Sequence, residues 1–164
     1  MTRVLSAVAM LAIVVGTLWW LPAWATLGLA ELVVLLALVE YADLAERAGA
    51  PAPKGLVVVA GLAICAAVAR DAAVVPVLMA ATVAIGAAAV GKTRGRASGG
   101  WTYVAGVFGP LYVGLPLGTL VALHAARGSE VVLLLLAVIV ASDAAQFYGG
   151  RALGRRPLAP AMSP

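Results

Sequence analysis

Asp143 is the residue of this sequence whose position most strongly indicates chemistry. It lies in an apolar run, with Ser142 before it and Gln146 three residues later on the same helical face. A carboxylate inside a membrane helix is costly without a partner, and such residues mark functional sites by default. Its oxygens suit a hard cation such as Mg²⁺. Pairing with Arg151 or with a neighbouring helix is the alternative, and the spacing leaves both open.

Other ionisable residues beside apolar runs are expected to be structural. Glu31 and Glu40 are nine positions apart, so they point to opposite sides of one helix and cannot share a site. Glu31 would be interfacial if its helix started late. Glu40, Asp43 and Arg47 share a face, which predicts a solvated ion-pair surface. His124 is expected to be solvated at the end of its helix and to have no role.

The composition defines the kind of protein that positions these residues. Of its 164 residues, 64% are hydrophobic and 11% are charged, against about 45–50% and 25% in soluble domains. A soluble globule is therefore excluded. The net charge of +4 comes from cations spread over short loops, which does not indicate a nucleic-acid partner. The single cysteine, Cys65, lies among apolar residues and is expected to be a buried thiol.

Apolar runs divide the chain into a single all-α membrane domain, residues 1–164, with about six spans and a tail at 149–164. A span takes about 20 residues, which leaves no room for a soluble catalytic domain. The third span is short, although Lys54 and Arg70 can extend its reach by snorkelling. The last helix is expected to end near Gly149–Gly150. The predicted spans are Val4–Trp20, Trp24–Tyr41, Gly55–Ala69, Ala72–Val90, Thr102–His124 and Val131–Tyr148.

The loop cations predict the orientation, because Lys and Arg near span ends stay preferentially in the cytoplasm. Only Arg70 and Arg127 fall on one side of the predicted topology. Both termini are therefore expected in the cytoplasm, with the protein in a bacterial inner membrane. A cleavable secretion signal at the first span is the alternative. The cations on the other side are Arg3, Arg47, Lys54, Lys92, Arg94, Arg96, Arg151, Arg155 and Arg156.

Small residues mark two of the predicted spans. Ala80, Ala84 and Ala88 recur every four positions, which predicts a face for close helix packing. The fifth span contains several glycines together with Pro110 and Pro116, so its hydrogen-bond ladder is expected to be interrupted. That pattern indicates either a broken, cavity-lining helix or a simple kink. Gly114 and Gly118 in the same span also form a small-residue face.

The segment from Ser142 to Pro164 resembles the phosphatidate cytidylyltransferase (CDP-diacylglycerol synthase) family. In that family a membrane helix carries Ser-Asp, then small and aromatic residues, then Gly-Arg/Lys-x-x-Gly-Arg/Lys and Leu-Ala-Pro-x-x-Ser-Pro. This sequence has Ser142-Asp143, Gly150-Arg151, Gly154-Arg155 and Leu158-Ala159-Pro160-Ala161-Met162-Ser163-Pro164 in register. The segment Leu111–Leu117 also resembles the family's Tyr-Val-Gly-Leu-Pro helix.

The resemblance implies a reaction of phospholipid biosynthesis, in which CTP and phosphatidate give CDP-diacylglycerol and pyrophosphate. It implies that Asp143 is catalytic and binds Mg²⁺. It implies further that Arg151, Arg155, Arg156 and Ser163 bind substrate phosphates, as guanidinium groups do well. The alternative for the three arginines is that they only orient the chain in the membrane.

The sequence departs from the family pattern in two places. Gln146 fills a position that is usually small, and the sequence stops at Ser163-Pro164, where the family continues with Lys-Thr-Trp-Glu-Gly and further helices. It therefore resembles the N-terminal part of such an enzyme, and little or no activity is expected of this part alone. A homo-oligomer or a separate C-terminal half is left open as a partner. The alternative functions are a small transporter and a non-catalytic membrane subunit.

Overall fold

The computed structural model describes residues 2–93 and 98–153. Over these residues the chain forms six α-helices and no strand. Each helix coincides with one predicted apolar segment, which confirms the all-α membrane bundle. The helices are α1 (Thr2–Trp20), α2 (Ala23–Arg47), α3 (Lys54–Ala69), α4 (Val74–Thr93), α5 (Ser98–Arg127) and α6 (Ser129–Leu153).

Four of these helices, α2, α4, α5 and α6, are long and apolar enough to cross a membrane. The other two are shorter over their apolar parts, Ala9–Trp20 in α1 and Lys54–Ala69 in α3. With 16 residues, α3 is about 24 Å long, less than the roughly 30 Å of a bilayer core. The lengths and composition fit a membrane protein.

The core lies between α2, α3 and α5. Every fourth residue of α2 is buried along one stripe, including Ala30, Val34 and Leu38. From α3, Val57 and Cys65 are fully buried against this stripe. The expectation of a buried Cys65 thiol is confirmed. The three helices form the packed centre, and the other helices lie around it.

Helix α5 is continuous from Ser98 to Arg127 with Pro110 and Pro116 inside it, so the alternative of a broken helix is wrong, although each proline removes one backbone donor from the hydrogen-bond ladder. Loss of two backbone donors does not end it, because a membrane interior penalises any further unpaired backbone group. The glycines serve packing instead. A Cβ on Gly114 would lie 2.8 Å from the Gly61 carbonyl oxygen, and one on Gly118 would lie 2.7 Å from that of Cys65. The predicted packing face of these two glycines is confirmed.

In α4 the small-residue face predicted at Ala80, Ala84 and Ala88 does not face the bundle. Ala80 and Ala84 are exposed and Ala88 is half-buried, whereas Ile85 and Ala89 are buried. The prediction is wrong because a repeat of small residues shows which side chains share a face of the helix, but not which face packs against another helix. A bulky Ile85 side chain fills the contact, against the backbone of Gly106 in α5.

Turns at two glycines set the direction of the chain at both ends of the core. Gly49 follows α2 with a φ of +82°, a conformation that favours glycine. The amides of Gly49 and Ala50 bond back to the carbonyls of Glu46 and Ala45, which is the Schellman arrangement. Gly128, with φ +80°, lies between α5 and α6. It reverses the chain so that α6 runs back towards the end at which α5 begins.

Candidate functional site

The motif residues of α6 lie on a part of the helix that is not covered by the rest of the bundle. Only the first turns of α6 are packed, with Val132 fully buried. Every residue from 137 to 148 is exposed, including Ser142, Asp143 and Gln146. The Gln146 amide donates to the Ser142 hydroxyl at 3.1 Å, so the three polar side chains occupy one side of the helix, as their spacing predicts.

The structure corrects the depth of Asp143. Helix α6 does not end at Gly149–Gly150 but continues to Leu153, since glycine in a helix costs only about 1 kcal/mol and does not by itself end it. Asp143 is therefore ten residues, about 15 Å, before the last described helical residue. Its carboxylate lies near the middle of the apolar segment Ser129–Ala152, deeper than the sequence indicated.

The continuous helix also excludes the alternative in which Asp143 pairs with Arg151. The two residues are eight positions apart on one straight element, about 12 Å along the axis. The side chain of Arg151 is exposed, and the ion pair found within residues 2–93 and 98–153 does not involve it. Arg155, Arg156 and Ser163 lie outside the residues that the structure describes.

The donor set around Asp143 is compatible with a magnesium ion held largely by substrate. Mg²⁺ keeps several waters and is commonly bound by one or two carboxylates plus substrate phosphates. Asp143 supplies one carboxylate, and the neighbouring residue Ser142 has a hydroxyl that accepts a hydrogen bond from Gln146. Within the described part of the chain, no three His, Cys, Asp or Glu residues form a metal-binding group. The residues fit an ion that is completed by phosphate oxygens.

A second polar cluster, which the sequence did not predict, lies at the other end of the core. The hydroxyl of Thr26 and Nδ1 of His124 are 2.8 Å apart, and both residues are buried. The expectation of a solvated His124 is wrong. The residues are 98 positions apart, and nothing in the local sequence of α2 or α5 signals that the two helices meet there.

Glu31 lies two turns into α2. Both carboxylate oxygens are buried without a hydrogen-bond partner among the described residues. Glu40 is exposed, whereas the Glu31 carboxylate is buried, as expected of two residues that point to opposite sides of one helix.

The predicted ion-pair face of α2 has a different partner. Asp43 accepts a hydrogen bond from the Lys54 ammonium group at 2.7 Å, across the turn between α2 and α3. The expected partner in the same helix was Arg47. The side chains of both bonded residues are 46% exposed, so this pair is a surface feature at the start of α3 and carries no catalytic geometry.

The comparisons with known proteins agree with the motif on α6. The family model of the cytidylyltransferase family matches residues 1–164, the whole sequence. No curated protein and no solved structure matches the chain.

Proposed function

The chain belongs to the cytidylyltransferase family, and from this we propose that it transfers CMP from CTP to the phosphate of phosphatidate. The observation that carries the choice of acceptor is the position of Asp143. Its carboxylate lies on an exposed face in the apolar part of α6, where the molecules that reach it from the side are lipids. A lipid-facing carboxylate favours a phosphate-bearing lipid as the acceptor.

The proposed reaction exchanges one phosphorus–oxygen bond for another. An oxygen of the phosphatidate phosphate forms a bond to the α-phosphorus of CTP. The bond from that phosphorus to the oxygen bridging the β-phosphorus breaks, and the electron pair leaves with pyrophosphate. CDP-diacylglycerol and pyrophosphate are the products. Positioning and charge neutralisation contribute most of the catalysis in such transfers.

The chain's own residues orient the two phosphates. Asp143, with Ser142 and Gln146 beside it, would hold Mg²⁺, which when bound neutralises charge on phosphate oxygens. Arg151 is exposed eight residues further along α6. Its guanidinium group can donate two parallel hydrogen bonds to the oxygens of a phosphate. We assign Arg155, Arg156 and Ser163 to further phosphate contacts on the family motif alone.

We propose that both ends of the chain face the cytoplasm, where CTP is available. The support is the excess of cations on the loops at that side. Reporter fusions after Gly100 and after Pro164 are both expected to read cytoplasmic. A periplasmic reading at either position would refute this topology. With the N-terminus in the cytoplasm, it would require an odd number of spans before that position.

Transfer of label from CTP to lipid tests the proposed reaction. The protein expressed from its natural gene is reconstituted in phosphatidylcholine vesicles with Mg²⁺ and CTP labelled at the α-phosphate. With phosphatidate present, label is expected to enter the lipid fraction together with release of pyrophosphate. Vesicles with diacylglycerol in place of phosphatidate are the control, because that lipid lacks the phosphate that attacks.

Two results would contradict the proposal. Label transfer to a polyisoprenyl phosphate but not to phosphatidate would keep the cytidylyltransferase chemistry and assign another acceptor. Absence of transfer to any phosphate-bearing lipid, by protein shown to be folded and inserted, would favour a non-catalytic membrane subunit.

A further inference from the structure

All four tryptophans of the chain have more than half of their surface exposed. They are Trp19, Trp20, Trp24 and Trp101. Tryptophan is large and is on average highly buried in folded proteins, so the exposure of every one of them needs a cause. The core of this bundle is built mostly of aliphatic side chains instead. The four rings are therefore available to a partner outside the bundle.

The four tryptophans lie at the two ends of the bundle. Trp19 and Trp20 end α1, and Trp24 begins α2, so three rings surround one turn. Trp101 lies in the first turn of α5. It lines a surface groove together with Leu44, near the other end of α2. No tryptophan of the sequence lies between these two groups along α2 or α5.

The distance between the two groups equals the thickness of a bilayer core. Leu44 is 20 positions after Trp24 in a continuous helix, which is about 30 Å. The hydrocarbon core of a typical bilayer is also about 30 Å thick. Tryptophan is enriched at both membrane–water interfaces, because its ring is apolar and its N–H group needs a hydrogen-bond acceptor. Both the spacing and the residue type indicate two membrane surfaces.

Helix α6 begins at the end of the bundle that carries three tryptophans. The contact between Thr26 and His124 joins the first turn of α2 to the last turns of α5. Ser129 starts α6 directly after the turn at Gly128. The start of α6 is therefore close to the level of Trp24.

The length of α6 then gives the depth of its motif residues. Arg151 is 22 positions after Ser129, about 33 Å along the helix. This is close to the distance between the two tryptophan groups, so Arg151 lies near the level of Trp101. Asp143 is eight positions before Arg151, about 12 Å short of that level.

We infer that the tryptophans bind the headgroup regions of the two bilayer surfaces, with Trp19, Trp20 and Trp24 at one surface and Trp101 at the other. The partner is a lipid bilayer because large apolar side chains, among them Leu36, are exposed between the two groups. The same two levels place the side chain of the α6 arginine at a bilayer surface and the motif carboxylate in the hydrocarbon of the adjacent leaflet. The inference does not depend on which lipid accepts CMP.

Quenching of tryptophan fluorescence by brominated lipids measures the depth of each ring. The protein is reconstituted in phosphatidylcholine vesicles whose acyl chains carry bromine either close to the glycerol or close to the methyl end. Two single-tryptophan proteins keep Trp24 or Trp101 and have Trp→Phe at the other three positions. Both are expected to be quenched several-fold more by bromine close to the glycerol. The unchanged protein is expected to show the same preference.

A tryptophan in the middle of α2 is the matched control. Leu36 is exposed and lies 12 positions, about 18 Å, after Trp24. In the protein with all four Trp→Phe changes, Leu36→Trp is expected to be quenched several-fold more by bromine close to the methyl end. This variant shows that the two lipids distinguish the surface of the bilayer from its centre.

Two further variants test the placement of α6 in the same tryptophan-free protein. Val140 and Tyr148 are both exposed, 11 and 19 positions after Ser129, which is about 16 Å and 28 Å along the helix. Val140→Trp is expected to be quenched mainly by bromine close to the methyl end, and Tyr148→Trp mainly by bromine close to the glycerol. Equal depth of the two would show that Arg151 is not at a bilayer surface.

Three results would overturn the inference for the native tryptophans. The first is quenching of Trp24 or Trp101 mainly by bromine close to the methyl end. The second is quenching by aqueous acrylamide without quenching by either lipid. The third is protection from all quenchers, since another protein surface would then cover the rings. The measurement uses neither CTP nor phosphatidate, so its outcome is separate from that of CMP transfer.

Discussion

The core of α2, α3 and α5 and the second half of α6 are built from similar apolar sequence but have opposite surroundings. In the core, Leu38, Val57 and Cys65 are fully buried, and glycines bring the helices into backbone contact. In α6, residues 137–148 are all exposed. The motif residues are on the exposed region, so the part of the chain that determines the packing is different from the part that carries the candidate chemistry.

The difference has a physical reason. Close packing excludes substrates as well as solvent, and a helix that is held on every side cannot present a carboxylate to a lipid phosphate and a nucleotide together. Helix α6 is held at Val132 near its start, which fixes its position while leaving Asp143 accessible. The comparison predicts that substitutions in α6 affect activity and that substitutions in the core affect stability.

The largest expected effect is that of Asp143→Asn on activity. The change keeps the size of the side chain but removes the charge that would hold Mg²⁺, so CMP transfer to phosphatidate should fall at least about 100-fold. Excess Mg²⁺ should restore little of it. Initial rates over a range of Mg²⁺ concentrations measure the effect.

The matched control is Asp43→Asn, which removes a carboxylate from the exposed pair with Lys54. Its activity should stay close to that of the unchanged protein. If Asp143→Asn kept both activity and Mg²⁺ dependence while the protein remained folded, Asp143 would not be a metal ligand. The claim that the exposed half of α6 carries the chemistry would then be wrong.

The sequence predicts the helices of this protein but not the contacts between them. The six helices were predicted because apolar runs of span length need no knowledge of neighbours. The prediction that Ala80 and Ala84 pack against another helix was wrong, since the spacing of small residues does not show which face of α4 is in contact with the bundle. The Thr26–His124 contact joins residues 98 positions apart, and only the tertiary structure brings them together.

The candidate site was predicted from its residue types and their resemblance to a family motif, and its depth was not. Gly149 and Gly150 indicated a helix end, but a Cβ at either position would meet nothing within 4 Å, and the helix continues past both. The end of a helix depends on the contacts of the following residues as well as on its glycines. For that reason Asp143 is deeper in α6 than its sequence context indicated.

A smaller effect, on stability, is expected from Gly118→Ala. The added Cβ would lie 2.7 Å from the Cys65 carbonyl oxygen and 2.9 Å from the Val68 Cβ, so α3 and α5 must separate. We expect a loss of about 1–3 kcal/mol in the free energy of unfolding. Unfolding in mixed micelles with increasing denaturing detergent measures it.

Gly28→Ala is the control for this substitution, because a Cβ there meets nothing within 4 Å. It should stabilise α2 by up to about 1 kcal/mol through helix propensity. A loss of the same size in both variants would show that the contact between α3 and α5 is not the cause, and the description of the core as glycine-mediated would be wrong.

The smallest expected effect is that of Thr26→Val, which tests whether the buried polar contact in the core contributes to stability. The change keeps the shape of the side chain but leaves Nδ1 of His124 without its partner at 2.8 Å. Hydrogen bonds between membrane helices contribute about 1 kcal/mol or less, so the free energy of unfolding should fall by about that amount.

Thr119→Val is the control, since the Thr119 hydroxyl bonds only to the Leu115 carbonyl of its own helix and its loss should have almost no effect. If both variants unfolded at the same detergent concentration as the unchanged protein, the core would be held by apolar and glycine contacts alone. A loss for Thr26→Val that disappears when His124 is also replaced by alanine would assign the energy to this pair.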